Sequence, residues 1–430
     1  MALQRDRRSD RLPRVDPTRS ANAISFSAAS RQDGSLRRSL PVTDPRDRPL
    51  NLTPASVMDY RELARRKLPR QLFDYIDGGA YAEATMCANI TDLRDIHLRQ
   101  RILRDVSSIE LGVEVLGERL SLPVVLGPVG LVGMFARRGE VLAARAAEKE
   151  GVRFCESTVS ICSIEEVREA TSAPLWFQLY VMRDRGYAEQ LIGRACDAGC
   201  STLVLTVDLA VVGARYRDTR NGMMGSLSGT KKLVRAWDIL SHFAWVTDVA
   251  IRGKPLTFGN LEAAVPGARS PAGFKDWVDS QFDPSVTWED LDWVRRHWPR
   301  KLVLKGILDV EDAKRARDAG ADGVVVSNHG GRQLDDVRST ASALPPIAKA
   351  VGDDLEVLVD GGIRSGLDVV KMLSLGAKAC LLGRAWTYAV AGGGEGGVAH
   401  VLQILREEMN VAMALTGHTR LEDLGPDTLD

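Results

Sequence analysis

Residues 357–385 read VLVDGGIRSGLDVVKMLSLGAKACLLGRA, and this stretch decides the fold. It opens on an apolar run, Val357 to Asp360, turns through the glycine-rich DGGIRSG (Asp360–Gly366), and continues with helical spacing from Leu367 to Leu375. A second apolar run, Ala379 to Leu382, ends directly on Gly383 and Arg384. Strand, helix and strand in that rhythm form a βα unit, and apolar runs without alternation belong to a parallel sheet covered by helices. Glycine-rich turns after two successive strands put backbone N–H groups and an arginine where a phosphate would sit. Either turn alone is a weak signal, but the two in this order are strong.

Outward from this stretch the unit repeats. Further strand candidates are Val124–Gly127, Val152–Cys155, Trp176–Tyr180, Thr202–Val207, Leu302–Leu304 and Gly323–Ser327. Helical spacing separates them, as at Glu140–Glu150, Ile164–Glu169, Tyr187–Ala198 and Val310–Ala319. About eight such units in one continuous α/β domain predict a closed (β/α)8 TIM barrel. An open doubly wound sheet would carry GxGxxG after its first strand, and none occurs there. A short N-terminal helical segment, Val57–Lys67 and Gln71–Ile76, precedes the first unit. Residues 209 to about 300 are too long for an ordinary βα loop and predict an insertion after the fourth strand, over the catalytic face.

Residues 1 to about 50 stand apart. They are dense in Arg, Asp, Ser and Pro and poor in aromatic and β-branched residues, so they bury too little to offset the entropy of ordering. They are expected to be a disordered tail, or to reflect a start placed too early, with the catalytic domain spanning 51–430. In the whole chain Lys plus Arg and Asp plus Glu balance at 57 each, which leaves no global field to recruit nucleic acid. The six cysteines are scattered, without CxxC spacing or histidine companions, and predict neither a disulfide framework nor a metal site. The most apolar stretch, Leu120 to Ala136, is broken by prolines and glycines and does not read as a membrane span. With no apolar secretory core near the N-terminus, a cytoplasmic location is expected.

A barrel of this kind carries its active site where strands end and βα loops begin. Chemically capable residues fall at those ends: Pro128, Val129 and Gly130 after the first strand, Ser157 after the second, and Gln178 and Tyr180 on the third. Thr206 and Asp208 finish the fourth, Lys305 the fifth, Ser327 to Arg332 the sixth, Asp360 to Arg364 the seventh, and Gly383 with Arg384 the eighth. Within SNHGGRQLD (Ser327–Asp335), two glycines let the chain turn tightly enough for His329 and Arg332 to face one pocket. A histidine is suited to accept a proton near neutral pH, and an arginine pairs bidentately with a carboxylate. Together they fit the oxidation of a 2-hydroxy acid; a structural turn with a surface arginine is the plainer alternative.

Asp208 closes an apolar strand, where a lone carboxylate is costly, so it is expected either to pair with His329 or to cap a helix. Arg215 is a candidate second carboxylate ligand, and Arg217 reads as solvated. Tyr75 and Tyr180 are candidates to bind substrate oxygens, although lone tyrosines are more often packing residues. Lys305 requires an anionic partner. It suits either a reduced flavin or a Schiff base, and the phosphate-type loops favour the flavin.

The motifs SNHGGRQLD, TVD, QLY, LVLKG, DGGIRSG and GR resemble the FMN-dependent L-2-hydroxy acid dehydrogenase/oxidase family, from about Leu52 to the C-terminus. Finer stretches, among them FDYIDGGAYAE, GPVGLVGMFARRGE and GARYRD, are similar to the bacterial respiratory, quinone-linked L-lactate dehydrogenases within it. The resemblance implies His329 as base, assisted by Asp208, with Arg332, Arg215, Tyr75 and Tyr180 on the substrate. It implies FMN bound by Pro128, Val129, Gly130, Ser157, Gln178, Thr206, Lys305, Ser327, Asp360, Gly361, Gly362, Arg364, Gly383 and Arg384. It also implies L-lactate as substrate, a quinone or other respiratory acceptor, peripheral contact with the cytoplasmic face of the inner membrane, and a homo-oligomer. An oxidase of glycolate or mandelate type, reducing O2 to hydrogen peroxide, is the alternative. A flavin barrel isomerase would leave two arginines unexplained, and a lactate sensor would not need Asp208, His329 and Lys305 together. Two departures stand out: DLAVVGAR lacks the proline usual soon after TVD, and Gly127 replaces the more usual alanine of APVG.

Overall fold

The computed structural model describes residues 53–223, 227–264 and 280–430. The expected tail, residues 1–50, and two pieces of the expected insertion lie outside the described residues. Eight parallel strands close into a barrel in chain order. They are β1 (Val124–Leu126), β2 (Arg153–Ser157), β3 (Trp176–Tyr180), β4 (Thr202–Thr206), β5 (Lys301–Ile307), β6 (Gly323–Val326), β7 (Glu356–Asp360) and β8 (Ala379–Leu382). The ring closes through Cys380, Leu381 and Leu382, which pair with Val124, Val125 and Leu126. The predicted TIM barrel is therefore the observed fold.

Because both faces of each strand are covered, β1, β4, β6 and β8 are buried along their whole length, which explains why they read as unbroken apolar runs. Each strand feeds a helix, and local chemistry starts many of these. Ser163, Asp184, Asp309, Ser339 and Ser365 each accept a first-turn backbone N–H at an N-cap. After β4, the barrel's own helix is Asp290–His297, which falls within the stretch expected as insertion. Between Asp208 and that helix lie Tyr216–Arg220, Thr230–Ser241 and a π-helical turn at Val246–Ile251.

Among the described residues three helices precede the barrel: α1 (Val57–Lys67), α2 (Arg70–Asp77) and α3 (Ala84–Asp95). Helix α1 packs on the last helix, Arg384–Thr416, where the Tyr60 hydroxyl meets His400 Nδ1 at 2.9 Å. Sequence reading missed the antiparallel hairpin Val113–Val115/Glu118–Leu120. Glu118 fastens it to the N-terminal ends of the strands by accepting from Arg153, Trp176 Nε1 and Ser201 Oγ. The hairpin thus closes the end of the barrel opposite the site.

Candidate active site

At the C-terminal ends of the strands lies a cavity of about 510 Å³, a size suited to a cofactor-scale ligand. Its wall includes Tyr75, Pro128, Val129, Gly130, Tyr180, Thr206, Arg215 and Lys305, together with His329, Arg332, Asp360, Gly361, Gly362, Arg364, Gly383 and Arg384. Of the residues singled out by sequence, Ser157, Gln178, Asp208 and Ser327 do not line the wall. Ser327 and Asp208 stand one hydrogen bond behind it, and Ser157 and Gln178 bond each other. Ser157 Oγ donates to Gln178 Oε1 (3.0 Å), Ser327 Oγ accepts from Lys305 Nζ (3.0 Å), and Asp208 backs His329.

The turn after β6 holds three successive left-handed residues: His329 (φ 57°), Gly330 (66°) and Gly331 (71°). A Cβ on Gly331 would stand 2.5 Å from the Met86 backbone nitrogen, so α3 tolerates only glycine there. The same turn is held from both sides. The His329 N–H donates to Ser327 Oγ at 3.0 Å, and the side-chain amides of Asn328 and Asn89 exchange two hydrogen bonds of 2.8 Å each. This presents the imidazole with Nδ1 2.9 Å from Asp208 Oδ1.

Burial pushes the His329 imidazole below its usual range, against the pull of Asp208. Burial works the other way on Asp208, but the neighbouring His329 and Lys305 outweigh it and hold the carboxyl below the ordinary value. The pair is therefore a neutral imidazole beside a carboxylate. An ionised carboxylate only accepts, so Nδ1 carries the proton and Nε2 keeps its lone pair. Asp208 caps no helix.

Lys305 is buried, which disfavours its charge, yet Asp360 and Asp208 raise its pKa and keep it cationic. Its Nζ lies 3.1 Å from Asp360 Oδ2. Several features here are unfinished in a way that suits a flavin nucleotide. Gln178 Nε2 and Asp360 Oδ1 are buried without a hydrogen-bond partner. Gly383, which begins the helix Arg384–Thr416, has open space where a Cβ would point, and Gly361 and Gly362 hold φ of 96° and 80°. A helix N-terminus, two left-handed glycines and Arg364 are the groups here that could hold a phosphate. Arg384, also expected there, directs Nε, Nη1 and Nη2 to the carbonyls of Ile76, Gly330 and Gly78, while Arg364 Nη1 donates to its neighbour Ile363 O.

On the cavity's other side two guanidinium groups approach Tyr75, with Arg332 Cζ 5.0 Å and Arg215 Cζ 5.5 Å from its ring centre. Arg332 Nη1 donates to Tyr75 O (2.7 Å) and Gly78 O (2.8 Å), and among the described residues no carboxylate reaches ion-pair distance of it. Burial, reinforced by the like charge of Arg215, pushes Arg332 down to about 9. Arg215 has only a 3.9 Å approach to Asp218, and its buried Nε lacks a partner. Two like charges held at one cavity wall, with Arg215 pushing Arg332 down, suit an anion bound by both. Tyr180 packs edge-on against Phe282 at 5.5 Å.

The FMN-dependent dehydrogenase family matches residues 64–430. The chain belongs to that family. This FMN-dependent dehydrogenase is 56% identical, over 86% of its length and 97% of the relative's, to an L-lactate dehydrogenase of Caulobacter sp. (strain K31). It is 53% identical, over 86% and 97%, to one of Yersinia pestis (strain Pestoides F). Among solved structures it resembles a monotopic membrane protein, (S)-mandelate dehydrogenase, with 39% identity, TM-score 0.81, and coverage of 88% of this chain and 99% of that one. A mandelate oxidase follows at 38% identity and TM-score 0.74, covering 88% and 98%.

Several residues that build the dehydrogenase's site escaped sequence reading. Asn89 holds the catalytic turn, and Gln333 ties that turn to the strand end through bonds to Asp208 O and Val211 O, both 3.1 Å. Arg217, read as solvated, instead bridges Asp77 and Glu83, because the turn after α2 brings two carboxylates to it. For Gln333 the signal was present in SNHGGRQLD; for Asn89, one polar residue in a helix, there was none.

Proposed function

We propose that this flavoenzyme oxidises L-lactate to pyruvate and passes the electrons to a membrane quinone. The observation that carries the reading is a carboxylate-backed neutral imidazole sharing one cavity with two guanidinium groups that, among the described residues, have no close carboxylate partner. The substrate carboxylate binds between Arg332 and Arg215, with Tyr75 and Tyr180 on its remaining oxygens. Nε2 of His329 accepts the proton that leaves the substrate, and Asp208 stabilises the imidazolium that results. FMN, when bound, supplies the acceptor for the two electrons and the second hydrogen. Gln178, Ser157, Thr206 and the Pro128–Gly130 segment hold its ring system, Lys305 with Ser327 and Asp360 faces it with positive charge, and Gly361, Gly362, Arg364 and Gly383 take its phosphate, with Arg384 adding charge from behind.

The acceptor and the membrane contact rest on the insertion. Helix Thr230–Ser241 is anchored inward by Asp238, which accepts from Arg70 N at 2.8 Å, and the short helix after it by Trp245 Nε1, which donates to Met134 O at 2.8 Å. Outward it exposes Leu233, Val234, Trp237, Leu240 and the adjoining Phe243, all at least 63% accessible, beside the exposed Lys231 and Lys232. An apolar face with a basic flank suits the interface of an anionic bilayer. Ile239 and Arg235 of the same helix also border the cavity. No helix among the described residues is long and apolar enough to cross a membrane.

Anaerobic mixing of purified holoenzyme with L- and D-2-hydroxy acids tests the reading. Rapid bleaching of the flavin by L-lactate, and turnover with a quinone analogue far faster than with O2, are expected. Preference for L-mandelate, or peroxide as the main product, favours the oxidase reading. For the membrane, Leu233→Glu/Trp237→Glu should lose sedimentation with anionic vesicles while keeping lactate-driven bleaching; equal sedimentation rejects the contact site.

A further inference from the structure

Beyond the site itself, the turn joining α2 to α3 is where three parts of the molecule meet. Its carbonyls receive two arginines. Arg332 donates to Tyr75 O and Gly78 O, and Arg384 donates to Ile76 O (3.1 Å) and Gly78 O (2.7 Å). Its backbone N–H groups reach the other two partners: Ala80 N donates to Gly331 O, and Tyr81 N donates to Ala214 O, both at 2.8 Å. So the turn contacts the catalytic loop, the start of the insertion that carries Arg215, and the end of β8.

At the centre of this turn is Asp77, which neither touches the cavity wall nor appears in any step above. Its carboxylate is 5% exposed and accepts four hydrogen bonds from three directions. Arg61 of α1 supplies Nε (2.5 Å) and Nη2 (2.8 Å), Arg217 supplies Nη1 (2.8 Å), and the Tyr388 hydroxyl of the last helix supplies the fourth (2.8 Å). Arg217 continues to Glu83 Oε2 at 2.5 Å, and Glu83 Oε1 accepts from Gly79 N at 2.9 Å. Burial resists a charge on Asp77, but these donors prevail and draw its pKa down to about 2. An ionised hub on this scale is out of proportion to a plain surface turn.

We propose that Asp77 is a positioning residue for substrate binding: by fixing the Tyr75–Gly78 carbonyls it aims the Arg332 guanidinium at the substrate carboxylate. Arg217 extends the effect to the insertion, so that Arg215 and Arg332 are set against each other through one ionic bridge. The guanidinium donors at Nη1 are committed to two carbonyls of this turn, which leaves Nε and Nη2 for a bidentate ligand. A shift of the turn would rotate that fork. Because the carboxylate does not react, the fork binds ground state and transition state alike, and its misalignment raises KM rather than lowering kcat.

The inference rests on Arg332 being the carboxylate ligand, so Arg332→Lys accompanies the test. Holoenzyme variants Asp77→Asn and Arg217→Met are compared with the parent for kcat, KM with L-lactate, flavin content, melting temperature, and oxalate affinity read from the flavin spectrum. Asp77→Asn is expected to raise KM and the oxalate Kd together by about 10-fold or more, with kcat within about threefold. Arg217→Met should give a smaller rise in the same two constants. A purely architectural Asp77 would lower the melting temperature and leave both constants alone, and that result overturns the proposal. Should Asp77→Asn fail to fold or retain flavin, Arg217→Met decides alone: unchanged KM and oxalate Kd overturn it. Oxalate binding that survives Arg332→Lys intact rejects the reading of the site itself, and this inference with it.

Discussion

Replacing Asp208 by asparagine removes one charge and almost no volume from the back of the imidazole. In the resting enzyme the cost is small, since a neutral ring still donates Nδ1–H to an amide oxygen. Once Nε2 has taken the substrate proton, the ring is an imidazolium 2.9 Å from what was a carboxylate. Unit charges about 4 Å apart at an effective dielectric of about 20 attract by about 4 kcal/mol. The amide dipole recovers part of that, so the transition state loses about 2–4 kcal/mol, or about 30- to 1000-fold in limiting rate. Neighbouring supports remain, because Gln333 holds the main-chain oxygen of Asp208 and Asp360 still pairs with Lys305. The assay is stopped-flow flavin bleaching by L-lactate without oxygen, across pH. The variant should keep its FMN, lose rate by that factor, and move its acid limb to lower pH, because Asp208 raises the His329 pKa. A rate within about threefold of the parent, or an acid limb moved upward, would refute the reasoning.

In the parent enzyme kcat/KM should fall as pH drops through a value below the usual histidine range of about 6.5, since only the neutral imidazole accepts a proton and burial lowers its pKa; an inflection above 7 contradicts this. Gly331→Ala puts a Cβ at φ 71° and 2.5 Å from Met86 N. It should destabilise by about 1–3 kcal/mol and slow flavin reduction, as denaturant unfolding and bleaching would show; parental stability would mean the turn is free to move.

What was legible in the sequence followed from local rules. Apolar runs ending on polar residues marked all eight strands, because a strand buried on both faces must be apolar until it reaches the open end. Gly361 and Gly362 after β7, and Gly383 after β8, marked two turns at the open end of the barrel. Pairings over long separations were not legible. Asn89 and Asn328 lie 239 positions apart, and Asp77 meets Tyr388 across 311, so no window of sequence contains either pair. Arg217 looked solvated for the same reason: its two carboxylates come from a turn more than 130 positions away. An aromatic in an amphipathic helix usually packs, so sequence alone weights Tyr75 toward packing, and only the fold reveals two guanidinium groups against its ring. The 113–120 hairpin was missed because three-residue strands carry too little pattern to register.

If His329 takes the substrate proton, its replacement must stop flavin reduction without emptying the site. His329→Gln holoenzyme, mixed anaerobically with saturating L-lactate, tests this in one absorbance trace. The variant is expected to keep its flavin and bind oxalate, yet bleach slower than the parent by at least about 100-fold. Bleaching at close to the parental rate would contradict it.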